Sequence, residues 1–178
     1  MAFTKKLIKN KKQMKNFLAV LLISFSLNGF AQQKELVWHT DVDKAINLSV
    51  QTGKPLFFFF TGSDWCGWCK RLVKAVFIKP EFKTWATNNV ILVEFDFNRS
   101  FKKKQQLVQQ KQATFTQEEV MMLQISRSLG VGGYPTVWFV TPQPEAGKVT
   151  FNRLGSQGAS PLDANAWIAG ANKILKTK

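Results

Sequence analysis

The chain is short of the residues that build metal centres and cross-linked scaffolds: 178 residues carry two cysteines and one histidine. That set cannot supply a four-ligand Cys/His zinc site from within the chain, and one cysteine pair is too few for a disulfide-dense small scaffold. Acidic side chains are also scarce, 11 against 25 Lys and Arg, for a formal charge of +14. A membrane-length apolar run is missing: residues 17–27 make an apolar stretch of eleven residues, where a spanning helix needs about twenty. Apolar content, by contrast, is ample at 45%, with sixteen Phe and six Trp, which excludes a disordered polyelectrolyte. The length suits one domain with a proper core.

The charge is unevenly placed. Residues 1–31 hold Lys5, Lys6, Lys9, Lys11, Lys12 and Lys15 and no acid, then the apolar run, then Gly29 and Ala31. A basic region, an apolar region and small residues at −3 and −1 of a cut after Ala31 form a secretory signal. The expected product is an exported, periplasmic chain, residues 32–178, with no membrane anchor left after cleavage. It keeps 19 basic and 11 acidic side chains. Lys102, Lys103, Lys104 and Lys111 share one polar stretch, read as a solvated basic face. No nucleic-acid module accompanies it, so no nucleic-acid partner is expected.

Periodicity in the exported part alternates strands and helices. Residues 35–39 form a short opening strand. Residues 41–52 form a helix capped by Thr40 or Asp41 and stopped by Gly53. Residues 55–61, with four consecutive Phe, lack period-2 alternation and read as a strand buried on both faces. Cys69, Leu72, Val73, Val76 and Phe77 mark a helix over 66–79, ended or kinked at Pro80. Phe82, Trp85 and Ala86 continue an apolar face beyond it. Residues 90–97 are a second buried strand, and residues 98–115 are a Lys/Gln-rich exposed helix or mobile insertion. Thr116 and Glu119 form a capping box for a helix closed by Gly130. Strands over 136–141 and 148–153, joined by a turn over 142–147, lead to a final helix over 161–175. Its expected buried positions are Leu162, Ala166, Ile168, Ala169 and Ile174. Such alternation describes a single α/β domain with a mixed central sheet flanked by helices.

The chemistry gathers at Ser63-Asp64-Trp65-Cys66-Gly67-Trp68-Cys69-Lys70. A buried strand ends, a polar turn follows, and Cys66 stands where a helix begins. Free N–H groups and the helix dipole favour a thiolate there. Lys70 and Arg71 add attraction if they lean back toward it. Cys69 lies on the apolar stripe and is expected to be the more buried sulfur. One exposed sulfur and one shielded partner suit thiol–disulfide exchange. Taken alone, C-x-x-C also fits half a zinc site, a static disulfide or coincidence. Haem attachment is excluded, since Lys70 rather than His follows Cys69. Trp65 and Trp68 are expected to form an exposed apolar platform for substrate. His39, far upstream, is given no catalytic role. Met121 and Met122 read as packing residues.

The strand leading to Trp65-Cys66-Gly67-Trp68-Cys69-Lys70, with Gly133-Tyr134-Pro135-Thr136 opening a later strand, resembles the thioredoxin superfamily. Thr61-Gly62-Ser63-Asp64-Trp65-Cys66 is similar to exported bacterial thioredoxin-family proteins, such as the soluble redox domain of the periplasmic disulfide reductase. The likeness covers nearly all of residues 35–175. It implies a thioredoxin fold with the Lys/Gln-rich insertion before a cis-Pro loop at Pro135. It also implies Cys66 as nucleophile and Cys69 as resolving thiol. Gly67, Tyr134 and Pro135 join Trp65 and Trp68 as substrate-contacting residues. The cofactor expectation is none beyond the Cys66–Cys69 disulfide, and no metal. The partners are protein thiols and disulfides together with a redox partner, and the chain is expected to be monomeric.

Two departures stand out. Thioredoxin usually has a buried Asp six residues before its first cysteine, where this chain has Phe60; Glu94 on the neighbouring strand is the candidate substitute as proton relay. Gly67-Trp68 replaces the commoner Gly-Pro, so the redox potential cannot be inherited. The competing reading is a thioredoxin-like binding module with a static disulfide that recruits a partner.

Overall fold

A computed structural model describes residues 35–145 and 148–176; the expected leader, residues 1–31, lies outside them. In chain order the elements are β1 (Trp38–His39), α1 (Val42–Thr52), β2 (Leu56–Thr61) and α2 (Gly67–Leu72), the last continued by a π-helical turn, Val73–Phe77. Then come α3 (Pro80–Asn89), β3 (Ile91–Asp96), α4 (Arg99–Gln109), α5 (Gln117–Ser128), β4 (Thr136–Glu145), β5 (Lys148–Gln157) and α6 (Ala164–Lys176). The strands form one mixed sheet in the order β1-β3-β2-β4-β5. β1 and β2 run parallel to β3, and β4 is antiparallel to both β2 and β5.

Strand β2 sits at the centre and every one of its residues is buried. Phe57 and Phe59 enter one core with Cys69, Leu72 and Val76 of the α2 segment, Phe82 of α3 and Trp167 of α6. Leu56, Phe58 and Phe60 enter the opposite core with Val42 and Ala45 of α1, Ile125 of α5 and Leu129 just after it. The missing alternation in the Phe run thus has a physical cause: both faces of this strand are covered by helices. Each Phe removed from water contributes about 1.5–3 kcal/mol. The pleat decides which Phe lies on the cysteine side.

Local signals hold the helices in place. The Asp41 carboxylate accepts the Lys44 N–H at 3.0 Å, and Gly53 closes α1 at φ 68°, a conformation cheap only for glycine. Thr116 and Glu119 form the reciprocal capping box. The helix expected over 66–79 stops at Phe77, and Lys79 is extended ahead of Pro80. Pro80 opens a new helix, α3, at a position where its missing N–H costs nothing.

Residues 98–115 contain an ordered helix, capped by the Asn98 side chain on the Phe101 N–H at 2.8 Å. Phe101 closes it down by packing against Phe97 and Phe115. Strands β4 and β5 extend past the expected turn, through Pro142 and Pro144. Pairing of β4 with β2 stops at Val140, so the stretch with Pro142 and Pro144 pairs with β5 on one side only, where prolines are tolerated. The last helix starts at Ala164, with the Asp163 carboxylate accepting the Ala166 N–H at 2.9 Å. Its anchor is Trp167 with Ala164 and Ala171, while Leu162, Ala166 and Ala169 are exposed and Ile168 and Ile174 half-buried. The shift follows from the indole, which outweighs the smaller aliphatics in choosing the buried face.

Candidate active site

Strand β2 delivers the chain to a tight turn, and the turn delivers Cys66 to the start of α2. The Cys66 N–H donates to the Gly62 carbonyl at 2.8 Å. Gly62 is required here: a Cβ would lie 2.3 Å from the Trp65 ring. Cys66 is the N-cap of α2, its Sγ accepting the Cys69 N–H at 3.1 Å. The two cysteines form a disulfide with Cα atoms 5.3 Å apart. Cys66 retains 5% of its surface and Cys69 1%. The order is the expected one, but with the disulfide closed both residues are buried.

A polar staple fixes the turn. At the end of β3, the Asp96 carboxylate accepts from the Ser63 N–H at 2.9 Å, the Ser63 hydroxyl at 2.6 Å and the Asn98 amide at 3.0 Å. The Asp64 carboxylate accepts the Arg99 N–H in the first turn of α4, at 3.1 and 3.2 Å. The Trp65 indole N–H donates to the Phe97 carbonyl at 2.8 Å. Residues 63–65 are therefore tied to the β3–α4 junction at three consecutive positions.

The rim differs from expectation in two ways. Trp65 is half-buried, with its ring edge-on to Tyr134 and the Lys102 ammonium 3.3 Å above it. Only Trp68, 54% exposed, presents an open face, and the Arg71 guanidinium stacks there at 4.9 Å. Lys70 does not lean back to the sulfurs; its ammonium donates to the Asp64 carbonyl at 2.9 Å. Gly67 is exposed in the first turn of α2. Across the site, Tyr134 packs against Trp65 and Phe97. Burial holds its phenol above the usual tyrosine range. Pro135 is buried, follows a cis peptide and leads directly into β4.

Below the sulfurs, Glu94 and Cys69 line one cleft of about 370 Å³ with Phe59, Thr61, Lys70 and Lys74. Burial, and after it the nearby Asp96 carboxylate, raises the Glu94 carboxyl above the ordinary glutamate value. The residues of β2 in this cleft are Phe59, paired in register with Glu94, and Thr61. Phe60, the position singled out by counting back from Cys66, points into the opposite core. Strand alternation assigns the faces, whereas a count along the chain does not. His39 lies on edge strand β1 opposite Val93, its basicity lowered chiefly by burial.

A family model described as the thioredoxin-like domain matches residues 42–164. The chain belongs to this thioredoxin-like family. Among curated relatives, this thioredoxin-like chain is 28% identical over 143 residues to the disulfide bond reductase DsbH of Chlamydia pneumoniae, covering 80% of this chain and 75% of DsbH. It is 36% identical over 91 residues to the thioredoxin-related protein DsbJ of the same organism, covering 48% and 26%. A solved structure of a DsbH oxidoreductase matches with a TM-score of 0.62 at 26% identity, covering 81% of this chain and 87% of that one. A thioredoxin from Thermus thermophilus matches with a TM-score of 0.55 at 15% identity, covering 79% and 88%, a likeness of fold alone. The protein is thus a thioredoxin-like homologue of DsbH with a Cys66–Cys69 disulfide, and it falls among thiol–disulfide oxidoreductases.

Residues that the motif did not reveal complete the thioredoxin-like site. Asp96 and Asn98 hold the turn through Ser63 of the motif, and Lys102 reaches it from α4. Only the acid closing a buried strand, Asp96, carried a sequence signal that could have marked it.

Proposed function

We propose that this protein is an extracytoplasmic protein disulfide oxidoreductase acting through Cys66-Gly67-Trp68-Cys69. It works as one domain, residues 32–178, freed by cleavage after Ala31. It serves exported protein thiols and disulfides and is recharged by a separate redox partner. Among the described residues no helix is long and apolar enough to cross a membrane. The reducing direction is carried over from the DsbH relative. The chemistry runs on the two sulfurs, with no metal or further cofactor.

The observation that carries this reading is the contact of Cys66 Sγ with the Cys69 N–H at the start of α2. In the reduced protein that N–H and the helix dipole favour negative charge on Cys66, by about 0.3–1 kcal/mol for the dipole alone. The Cys66 thiolate attacks one sulfur of a substrate disulfide, and the other substrate sulfur leaves as a thiolate that takes a proton from solvent. Cys69, as thiolate, then attacks Cys66 Sγ, closing the disulfide and releasing the second substrate thiol. Glu94, in the same cleft as Cys69 and with raised proton affinity, accepts the Cys69 proton. The substrate chain lies along Tyr134 and Pro135, with Gly67 leaving room beside Cys66 and Trp68 offering its exposed face; Trp65 supports this surface from below.

Substitution of each sulfur tests the division of labour. Cys69→Ser should accumulate reductant-sensitive mixed disulfides on non-reducing gels, because a hydroxyl cannot displace sulfur. Cys66→Ser should accumulate few. If neither traps a partner while the wild type keeps its disulfide, the chain is a binding module with a static bridge.

A further inference from the structure

Three cations are held in place on the turn and the helix that carry the cysteines and on the rings beside them. Lys102 sits over Trp65, Arg71 sits over Trp68, and Lys70 is bound to the Asp64 carbonyl. All three side chains belong to exposed residues. Three carboxylates stand near: Asp64 is turned to the Arg99 N–H, Asp96 to Ser63 and Asn98, and Glu94 is half-buried in the cleft with Cys69. Lys104, further along α4, is already neutralised by Glu119. The charges laid over the two tryptophans that flank Cys66 in sequence are therefore both positive, and stacking on the indoles holds them at this rim rather than leaving them to sweep solvent.

We infer that this rim selects substrate polypeptides with Asp or Glu beside the disulfide cysteine. The inference rests on the oxidoreductase reading and names the class of substrate for that site. An acid on one side of the substrate cysteine meets Lys102, and an acid on the other side meets Arg71. Both contacts form as Cys66 approaches the substrate sulfur, so they raise the rate of mixed-disulfide formation. They do not alter the exchange itself: substrate S–S breaks, Cys66–S–S–substrate forms, and Cys69 then releases the second substrate thiol. Two electrons pass from the Cys66/Cys69 dithiol to the substrate, which gains two protons.

The test is a single-turnover reaction of the pre-reduced full chain with three synthetic peptide disulfides, identical except for acidic, neutral or basic residues flanking the cysteine. Exposed contacts of this kind contribute about two- to fivefold each, so at low salt the acidic peptide should react about tenfold faster than the basic one. Near 0.5 M salt the gap should shrink to about twofold, since the Debye length falls below about 5 Å. This salt titration uses the unaltered protein and does not depend on a variant folding. In Lys102→Gln/Arg71→Gln the ratio of acidic to neutral rates should approach one, and in Lys102→Arg it should persist. Equal rates for the three peptides with wild type would overturn this inference alone. Failure to reduce any of them would overturn the oxidoreductase reading and the inference with it.

Discussion

Replacing Asp96 by Ala should loosen the turn that carries Cys66 and lower the melting temperature by about 5–10 °C. The carboxylate accepts three hydrogen bonds, two from Ser63 and one from Asn98. A hydrogen bond to a charged group contributes about 1.5–3 kcal/mol when it is well buried. Here the residue is half-exposed, so water replaces part of what is lost, and the set is worth about 2–3 kcal/mol. In a domain of this size each kcal/mol moves the midpoint by about 2–4 °C. Ser63→Ala removes the hydroxyl bond but keeps the N–H bond, so it should cost about 1 kcal/mol. The two residues touch, so the double variant should lose less than the sum, with a coupling of about 1 kcal/mol. Thermal unfolding followed by circular dichroism measures all three. If Asp96→Ala melts within about 2 °C of wild type, or the coupling vanishes, water holds the turn as well as the carboxylate does and the staple carries no weight.

Two further outcomes follow from the side of the sheet that carries the cysteines. The Glu94 carboxyl is held above its unfolded value, chiefly by burial, so its protonated form is favoured by folding. That contribution is complete below the unfolded value and fades as pH rises through the folded one. Glu94→Gln should therefore melt together with wild type in mild acid and above it at neutral pH, in thermal scans across a pH series; a constant offset would refute burial as the cause. Trp167 is fully buried against Phe57, Phe77, Phe82, Phe139 and Trp85, and its indole N–H donates to the Gly158 carbonyl at 3.0 Å. Trp167→Ala should cost about 3–5 kcal/mol in urea denaturation with an unchanged slope; a loss below about 1 kcal/mol would mean that α6 is not docked through this residue.

Much of this protein is local and therefore legible along the chain. The Phe run of β2 marks a strand covered on both faces, Asp41 and Gly53 bound α1, Thr116 with Glu119 starts α5, and Cys66 with Cys69 marks the disulfide pair. These features depend on near neighbours, whose geometry the backbone periods of helix and strand dictate. Other features require elements distant in sequence to meet. The pleat of β2, read only against its partner strands, puts Phe59 rather than Phe60 in the cleft with Glu94 and Cys69. The start of α6 depends on which side chain best fills the space beside Phe57 and Phe82, and that choice fell to Trp167. Residues 98–115 read as an exposed helix or a mobile insertion until Asp64, Asp96 and Lys102 are seen together. The charge on α4 was visible from composition. Its place over Trp65 was decided only when the β3–α4 junction closed against the turn before Cys66, because a hydrogen bond or a cation over a ring acts over a few ångströms and carries no mark of sequence separation.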